Sequence, residues 1–195
     1  INFDRLSYIF ERSELGEDKE KILSIQIPEK AGSFLKLSKI FSNSQITEFN
    51  YRLSDPNDAH VLVGIKTKSA KNFISLKNRL SKNHYPFKDL TKNEISNDHL
   101  RHMVGGRSTT ARTERVFRME FPERPGALLD FLEKLGNKWN ITLFHYRNLG
   151  SAFGKVLVGI QDSSKNKELL KRYLKRTGYT FTEETSNIAY KHFLE

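Results

Sequence analysis

The sequence of 195 residues contains no cysteine, only five prolines and a single tryptophan. The lack of cysteine excludes disulfide bonds, thiolate metal sites and cysteine nucleophiles, and so excludes a small secreted fold held together by disulfides. No apolar run approaches the roughly 20 residues that a membrane-spanning helix needs, and no secretory signal peptide is visible. We therefore expect a cytoplasmic location and no membrane partner. Because the chain begins with Ile1 instead of methionine, we also expect it to be part of a longer polypeptide.

Motifs for catalysis and for cofactor binding are also missing from the sequence. It has neither the glycine-rich P-loop nor the G-x-G-x-x-G turn of nucleotide-binding folds. His99 and His102 lie three positions apart on a predicted helix, but no third ligand is near, so a surface or packing role is favoured over a metal site. The acidic residues are dispersed, and no pair is spaced for general acid-base chemistry. The sequence thus predicts no catalytic residue, no metal and no cofactor within this chain.

The chain carries a net charge of +10 and has a pI of about 9.7. Such a charge permits binding to nucleic acid or to an anionic membrane. The basic residues are dispersed along predicted helices, however, in runs such as Lys77, Arg79 and Lys82, where a solvated helix face explains them. We therefore interpret the lysines as solubilising residues and expect no nucleic-acid partner.

The sequence consists of two copies of one unit, displaced by 94 or 95 positions. Four blocks recur in the same order with almost no drift in spacing, which indicates an internal repeat. The matching pairs of blocks are Ile27–Leu35 with Phe121–Leu129, Phe49–Arg52 with Phe144–Arg147, His60–Ile65 with Lys155–Ile160, and Tyr85–Phe87 with Tyr179–Phe181. A structure predicted for one copy therefore applies to the other.

Hydrophobic spacing predicts the same order of elements in each copy. In the first, Leu23, Ile25 and Ile27 alternate with polar residues as in a half-buried strand, and the apolar residues that follow Gly32 recur at helical spacing. The F-x-Y-R and V-L-V-G-I blocks are predicted to form strands. A lysine-rich helix is predicted after them, and a short strand is predicted at the end of the unit. The order β-α-β-β-α-β is that of the ferredoxin-like fold. The predicted fold class is therefore α+β, with two tandem ferredoxin-like subdomains packed side by side.

The repeat also predicts the domain boundaries. Residues 19–107 are expected to form the first subdomain with a connecting helix at Glu94–Val104, and residues 108–195 are expected to form the second. Residues 1–18 belong to neither copy. Because Asn2–Arg12 has apolar residues at helical spacing, we expect a neck helix and linker that lead in from another domain.

The duplicated turns before the first helix of each copy are candidate ligand sites. A helix N-terminus offers unpaired N–H groups and a partial positive charge, which suit a free carboxylate. Small residues would let a ligand reach this backbone, and apolar residues would wall the pocket for an aliphatic side chain. The candidate residues are Gly32, Ser33, Phe34 and Leu35 in the first copy, and Gly126, Ala127, Leu128 and Leu129 in the second. The same residues could instead serve only the turn and the core, and the residues alone leave both interpretations open.

The F-x-Y-R strands add four candidates, Tyr51, Arg52, Tyr146 and Arg147. The aromatic residues and the arginines leave each strand on opposite faces. Two such strands side by side would form a seam with pseudo-twofold symmetry, at which a ligand could change how the copies pack. A purely structural role is the alternative, with the aromatic residues in the core and the arginines solvated or at an interface.

Several motifs are similar to those of one known family. They are E-R-S-E-L-G at Glu11–Gly16, I-P-E-K-A-G-S-F-L at Ile27–Leu35, T-E-F-N-Y-R at Thr47–Arg52, H-M-V-G-G-R at His102–Arg107, F-P-E-R-P-G-A-L-L at Phe121–Leu129, W-N-I-T-L-F-H-Y-R at Trp139–Arg147 and the T-x-N block near Thr185–Asn187. Over almost its whole length, the chain resembles the C-terminal regulatory region of biosynthetic threonine deaminase, also called threonine ammonia-lyase. The resemblance implies two ACT-like subdomains that bind L-isoleucine as a feedback inhibitor and L-valine as its antagonist. It also implies a full enzyme, typically a tetramer, whose catalytic domain uses pyridoxal phosphate to convert L-threonine to 2-oxobutanoate and ammonia on the route to isoleucine.

The chain departs from the full enzyme of that family because the lysine motif and the glycine-rich phosphate loop of the cofactor-binding part are missing. We therefore expect a regulatory fragment without catalytic activity. Its expected partners are the two effectors, the catalytic domain of the same polypeptide and further copies of itself. Asn148, Leu149 and Gly150 stand where many relatives have a more polar triplet.

Two other functions compete with this interpretation. A freestanding ACT-type amino-acid sensor would share the P-G-A-L turn at Pro125–Leu128, although not the T-E-F-N-Y-R and H-M-V-G-G-R blocks. An RNA recognition motif has the same order of elements, and it stacks bases on exposed aromatic residues of its central strands. The third strand of each copy has the core V-L-V-G-I and offers no aromatic residue there, so RNA binding is the weaker alternative.

Overall fold

The computed structural model describes residues 20–54, 57–98, 100–102, 105–122, 124–147, 153–163 and 167–195. At residues 58, 98, 102, 147 and 167 it describes the backbone alone. The predicted neck, residues 1–18, and the triplet at residues 148–150 lie outside the described part of the chain, so statements about them remain predictions.

Both copies fold into the predicted order of strands and helices. The first copy contains β1 (Glu20–Pro28), α1 (Ser33–Ile40), β2 (Gln45–Arg52), β3 (Asp58–Lys66), α2 (Ala70–Lys82) and β4 (Phe87–Asp89). The connection contains α3 (Glu94–Asp98) and a 3-10 turn (Leu100–His102). The second copy contains β5 (Glu114–Pro122), α4 (Ala127–Leu135), β6 (Asn140–Arg147), β7 (Phe153–Gln161), α5 (Lys167–Thr177), β8 (Phe181–Glu183) and α6 (Ile188–Phe193). The predicted α+β class with two ferredoxin-like units is confirmed.

The described strands form a single eight-stranded sheet in the order β4-β1-β3-β2-β6-β7-β5-β8. Neighbouring strands within each copy are antiparallel, and the copies join where β2 pairs antiparallel with β6. Asn50 lies opposite His145 in this register, and these two residues occupy the same position of the repeat. A pseudo-twofold axis therefore passes between them, and the predicted side-by-side packing takes the form of a continuous sheet.

The long helices pack their apolar stripes on one face of this sheet and form one continuous core with it. Aromatic residues pack against each other across the seam, so the core continues from one subdomain into the other. The ring centroid of Phe49 lies 5.5 Å from that of Phe144 and 5.7 Å from that of Phe34. Because Phe49 and Phe144 are 0% and 1% exposed, these seam aromatics cannot stack nucleic-acid bases as the RNA-binding alternative would require.

The second face of the sheet is covered around the seam by the 3-10 turn and α6. Arg101 in the 3-10 turn forms ion pairs with Glu20 at 2.9 Å and with Glu48 at 2.7 Å. Tyr190 in α6 donates a hydrogen bond to Glu114 at 2.8 Å. All five side chains are buried. The polar side of the F-x-Y-R strands is therefore part of a buried network of charges and not a solvated surface.

The glycine of each V-L-V-G-I block makes room for this network. Gly64 lies beside the Thr47 hydroxyl, which donates to Glu20, and a Cβ at Gly64 would be 2.6 Å from Thr47 Oγ1. At the equivalent Gly159, a Cβ would be 2.6 Å from Glu114 Oε1. Because protein interiors are close-packed, a side chain at either position would displace a buried polar group.

Two kinds of feature are absent from the described residues. They contain no helix long and apolar enough to cross a membrane. They also contain no group of three or more acidic or histidine side chains that could hold a metal ion.

Candidate effector site

The first helix of each copy begins at a glycine with a left-handed backbone. Gly32 has a φ of 85° and Gly126 has a φ of 83°, a conformation that favours glycine because it has no Cβ. Within the described part of the chain, no side chain caps the N-terminus of α1 or of α4. The N–H groups of Ser33 and Ala127 donate to the carbonyl oxygens of Lys30 at 3.1 Å and Arg124 at 3.3 Å. The next N–H groups of each first turn have no side-chain cap, and the helix dipole adds a partial positive charge beside them.

The turn of the second copy lines a small pocket at the seam, which we name pocket B. Its walls come from both subdomains, with the start of α4 on one side and the end of α1 on the other. The lining residues are Ser38, Phe41, Ser42, Ser44, Ile46, Phe121, Arg124, Gly126, Ala127, Leu128, Leu129 and Tyr146. The pocket has a volume of about 20 Å³, which is room for about one water molecule.

The turn of the first copy lines the corresponding pocket, named pocket A, together with the end of α4. The lining residues are Lys30, Gly32, Phe34, Leu35, Leu132, Leu135, Gly136, Trp139 and Ile141. The volume of pocket A is about 10 Å³. Trp139 is 4% exposed, and its buried indole Nε1 has no hydrogen-bond partner among the described residues. A buried donor without an acceptor costs about 1–3 kcal/mol, so a ligand that accepts a hydrogen bond from Nε1 would be stabilised here.

The two pockets are related by the pseudo-twofold axis but differ in chemistry. Where pocket B has the hydroxyls of Ser38, Ser42 and Ser44, pocket A has Leu132, Gly136 and Trp139 at the equivalent positions. Pocket B is thus the more polar of the two. Because their walls differ, the two pockets would bind the same small ligand with unequal affinity.

Seven of the eight predicted turn residues line one of these pockets: Gly32, Phe34 and Leu35 line pocket A, and Gly126, Ala127, Leu128 and Leu129 line pocket B. Ser33 instead lines a separate surface cleft beside β1. Tyr146 also lines pocket B. Tyr51 lies behind pocket A, where its ring centroid is 4.8 Å from that of Phe34. The structure therefore brings most of the predicted residues together in two places, each shared between the subdomains.

The hydroxyl of Tyr51 takes part in a link between the subdomains. It donates to Glu29 Oε2, and Asn140 Nδ2 donates to Glu29 Oε1 at 2.9 Å. Burial raises the pKa of Glu29, and the hydrogen bonds from Tyr51 and Asn140 offset part of this rise. Burial and the hydrogen bond to Glu29 raise the pKa of Tyr51, so its hydroxyl stays protonated and continues to donate. Glu29 thus ties the turn beside pocket A to strand β6 of the other subdomain.

Arg52 lies on the other face of the sheet and lines neither pocket A nor pocket B. Its NH1 is 2.5 Å from Glu114 Oε1, and its guanidinium also donates to the carbonyl oxygens of Gly106 at 3.0 Å and Leu194 at 2.5 Å. These contacts join β2 of the first subdomain to β5 and to the C-terminal end of the second. The side chain of Arg147 lies outside the described part of the chain, so its role remains a prediction.

The sequence patterns do not reveal the half of each pocket that the other subdomain supplies. Ser42 and Trp139 lie at or beyond the end of a first helix, far along the chain from the turn whose pocket they complete. The repeat contains a signal for this arrangement. A twofold relation between the F-x-Y-R strands places the end of each first helix beside the start of the other.

The fold and the paired pockets define a class of protein, the tandem ACT-like domain, in which two ferredoxin-like units share a sheet and enclose small sites between them. A family model described as the C-terminal regulatory domain of threonine dehydratase matches residues 11–100 and 105–194. The chain therefore belongs to the family of C-terminal regulatory domains of threonine dehydratase, which confirms the resemblance seen in its motifs. Family membership also favours a regulatory domain of this enzyme over a freestanding sensor.

Curated relatives agree with this assignment. The chain is 42% identical over 194 residues to the L-threonine dehydratase biosynthetic IlvA of Burkholderia multivorans and 40% identical over 195 residues to that of Escherichia coli. It is 38% identical over 207 residues to the mitochondrial threonine dehydratase of Saccharomyces cerevisiae. Each comparison covers 100% of this chain but only 38%, 38% and 35% of the respective relative. The chain thus corresponds to the regulatory part of a lyase and spans well under half of its relatives' length.

Proposed function

We propose that the chain is the part of a pyridoxal-phosphate-dependent threonine dehydratase that binds L-isoleucine as feedback inhibitor and L-valine as its antagonist. The pair of pockets A and B carries the proposal. Each pocket combines an uncapped helix N-terminus from one subdomain with the end of a helix from the other. This arrangement suits both charged groups of an amino acid, because a helix N-terminus attracts a carboxylate and a helix C-terminus attracts an ammonium group.

In pocket B, the effector's carboxylate accepts hydrogen bonds from the backbone at the start of α4, beside Gly126. Its ammonium group lies toward the end of α1, where Ser42 and Ser44 offer oxygen acceptors. Its branched side chain packs against Phe41 and Leu128, which supply the apolar wall. Pocket A offers the same backbone arrangement with a more apolar wall.

Both pockets, at about 20 Å³ and about 10 Å³, are too small in the described form to hold an amino acid. Binding therefore requires α1 and α4, which pack against each other, to move apart. An effector shifts such an equilibrium only as far as its affinities for the two packings differ. Isoleucine inhibits by stabilising one packing of the subdomains, and valine opposes it by stabilising the other.

The change in packing has to reach the rest of the enzyme. The neck at residues 1–18 is the proposed route, because it directly precedes β1 in the sequence. The catalytic domain of the same polypeptide, outside this chain, would hold pyridoxal phosphate and convert L-threonine to 2-oxobutanoate and ammonia. A tetrameric enzyme, a cytoplasmic location and subdomain boundaries at 19–107 and 108–195 belong to the same proposal.

Calorimetric titration of the chain with L-isoleucine tests this function, with L-valine and L-threonine as comparison ligands. We expect saturable binding of isoleucine with one or two sites per chain. We expect weaker binding of threonine, because its hydroxyl would be left without a partner against Phe41 and Leu128. No heat from isoleucine in a chain shown to be folded would contradict the proposal.

Replacement of Gly126 by alanine tests the location of the site. The added methyl group would lie 3.8 Å from the Ser42 carbonyl oxygen, across pocket B, and would occupy space that the ligand needs. Gly178→Ala is a matched control, since Gly178 also has a positive φ of 78° and a Cβ there would meet nothing within 4 Å. Each change should cost about 1 kcal/mol of stability through backbone strain. Only Gly126→Ala should weaken isoleucine binding, by about tenfold or more.

The same comparison with Gly32→Ala examines pocket A. There the added Cβ would be 2.9 Å from Asn137 Oδ1 of the other subdomain. If Gly126→Ala and Gly32→Ala both bound isoleucine as tightly as the Gly178→Ala control, the placement of the effector in these pockets would be wrong.

A further inference from the structure

A wide cleft, lined by the first subdomain and by Pro125 of the second, lies outside both effector pockets. It is bounded by the start of β2, the end of β3 and one side of α2. Four basic side chains line it, those of Lys66, Lys68, Lys71 and Arg79, and none of its described lining residues is acidic. The volume of this basic cleft is about 680 Å³, which lies within the usual range of small-molecule sites, about 300–1,000 Å³.

Two differences between the repeats open the basic cleft. In the second subdomain, Trp139 packs edge-on against Tyr173 with ring centroids 5.8 Å apart. The equivalent residues of the first subdomain are Ser44 and Arg79, and both line the cleft. A hydroxyl and a flexible cation thus replace two large rings. Because the two subdomains share one fold, the cleft results from the sequence of the first copy and not from the fold itself.

Arg79 provides a second observation that points to a ligand. Its Nε is buried and has no hydrogen-bond acceptor among the described residues. An unsatisfied buried donor costs about 1–3 kcal/mol, and more when the group is charged. Because Arg79 lines the cleft, a ligand there that accepted a hydrogen bond from its guanidinium would be stabilised. Ser44, Asn72 and Ser75 line the same space and supply neutral donors around it.

We propose that the basic cleft binds a small anion that carries two or more phosphate groups. A guanidinium can bind phosphate oxygens in a bidentate way, and lysine ammonium groups bind them as point charges. Lys68, Lys71 and Arg79 alone place three cationic groups around one space, more than a single carboxylate would neutralise, and they suit the charge of a diphosphate or triphosphate. The cleft also has room for the organic part of such a molecule. It shares only Ser44 with pocket B, so this site does not depend on the proposed effector function.

Titration of the full 195-residue chain with tripolyphosphate at near-physiological salt tests the site, with inorganic phosphate as the weaker reference ligand. We expect saturable binding at one site per chain. Arg79→Gln should weaken it by about tenfold or more, because a charge-assisted hydrogen-bond donor is lost. Arg172→Gln is the matched control: Arg172 is an exposed arginine of α5, away from the cleft, and the charge lost is the same. This control should change the affinity by less than about twofold.

A double variant tests the origin of the cleft. Ser44→Trp with Arg79→Tyr installs the aromatic pair of the second subdomain and should abolish tripolyphosphate binding while thermal unfolding stays cooperative. If the double variant does not fold, the site is tested by comparing the tripolyphosphate affinities of Arg79→Gln and Arg172→Gln. Equal weakening by those two variants would show that binding follows net charge, and absence of saturable binding to the folded chain would exclude the site. Either result would overturn the proposal.

Discussion

Replacement of Arg52 by alanine should be one of the most destabilising single changes on the second face of the sheet. Arg52 and Glu114 form an ion pair at 2.5 Å with side chains 9% and 2% exposed. Loss of the guanidinium would leave Glu114 buried with the hydroxyls of Thr142 and Tyr190 as its described donors. It would also remove the hydrogen bond to the Leu194 carbonyl oxygen. Removing one partner of a buried ion pair costs about 3–5 kcal/mol, so we expect a destabilisation of about 4 kcal/mol.

A paired variant separates the burial of charge from the loss of packing. Arg52→Met together with Glu114→Gln removes both charges, keeps similar volumes and retains an acceptor for the two hydroxyls. Replacement of a buried ion pair by uncharged residues is often nearly neutral, so the double variant should be more stable than Arg52→Ala by about 2 kcal/mol or more.

Urea unfolding measures these differences, and Trp139, the single tryptophan of the chain, reports them by fluorescence. A loss of less than about 1 kcal/mol in Arg52→Ala, as for a surface ion pair, would refute the reasoning. The reasoning would also be refuted if the double variant Arg52→Met with Glu114→Gln were no more stable than Arg52→Ala. The double variant should bind isoleucine with native affinity, because Arg52 lines neither pocket. A clear loss of affinity would place Arg52 in the effector site, as its position in the F-x-Y-R motif suggests.

Two further predictions concern the same face of the sheet and its acidic residues. Gly159→Ala should destabilise the chain by about 1–3 kcal/mol, because the new Cβ would be 2.6 Å from Glu114 Oε1. The control Gly106→Ala, where a Cβ meets nothing within 4 Å, should change the stability in urea little. Equal losses of stability in the two variants would contradict the steric argument. The hydrogen bond from Arg115 lowers the pKa of Glu183, so Glu183 adds stability above its ordinary pKa of about 4.3 that is lost as the pH falls. Glu183→Gln should therefore be less stable than the native chain near neutral pH, with a difference that shrinks on acidification in urea unfolding at several pH values.

The fold could be predicted from the sequence because its signals are local and occur twice. Alternation in β1 and helical spacing after Gly32 determine each element within a few residues, and the repeat at Gly126 provides an independent check. The seam also has a local signal, since aromatic and polar residues alternate along the F-x-Y-R strand in both copies. Their pairing follows once they are recognised as the longer of the two edge strands in each of two equal units.

The buried network on the second face could not be predicted in this way. Alternation shows that Glu48 and Arg52 share a face, but it does not show whether that face is covered. The cover comes from the 3-10 turn and α6, which are short elements with weak local signals. Their positions depend on contacts between distant residues, such as the ion pair of Arg101 with Glu20, 81 positions apart. The far walls of pockets A and B were missed for the same reason, because residues such as Trp139 reach them only through the seam.

The eight-stranded sheet ends on both sides in strands of three residues, β4 and β8. Such short edges offer few unpaired backbone groups to another chain, which limits edge-to-edge aggregation. In a single separated copy, the eight-residue strand β2 would itself be an open edge. Its pairing with β6 closes that edge within one polypeptide. Duplication thus protects, within one polypeptide, an edge that a separated single copy would leave exposed.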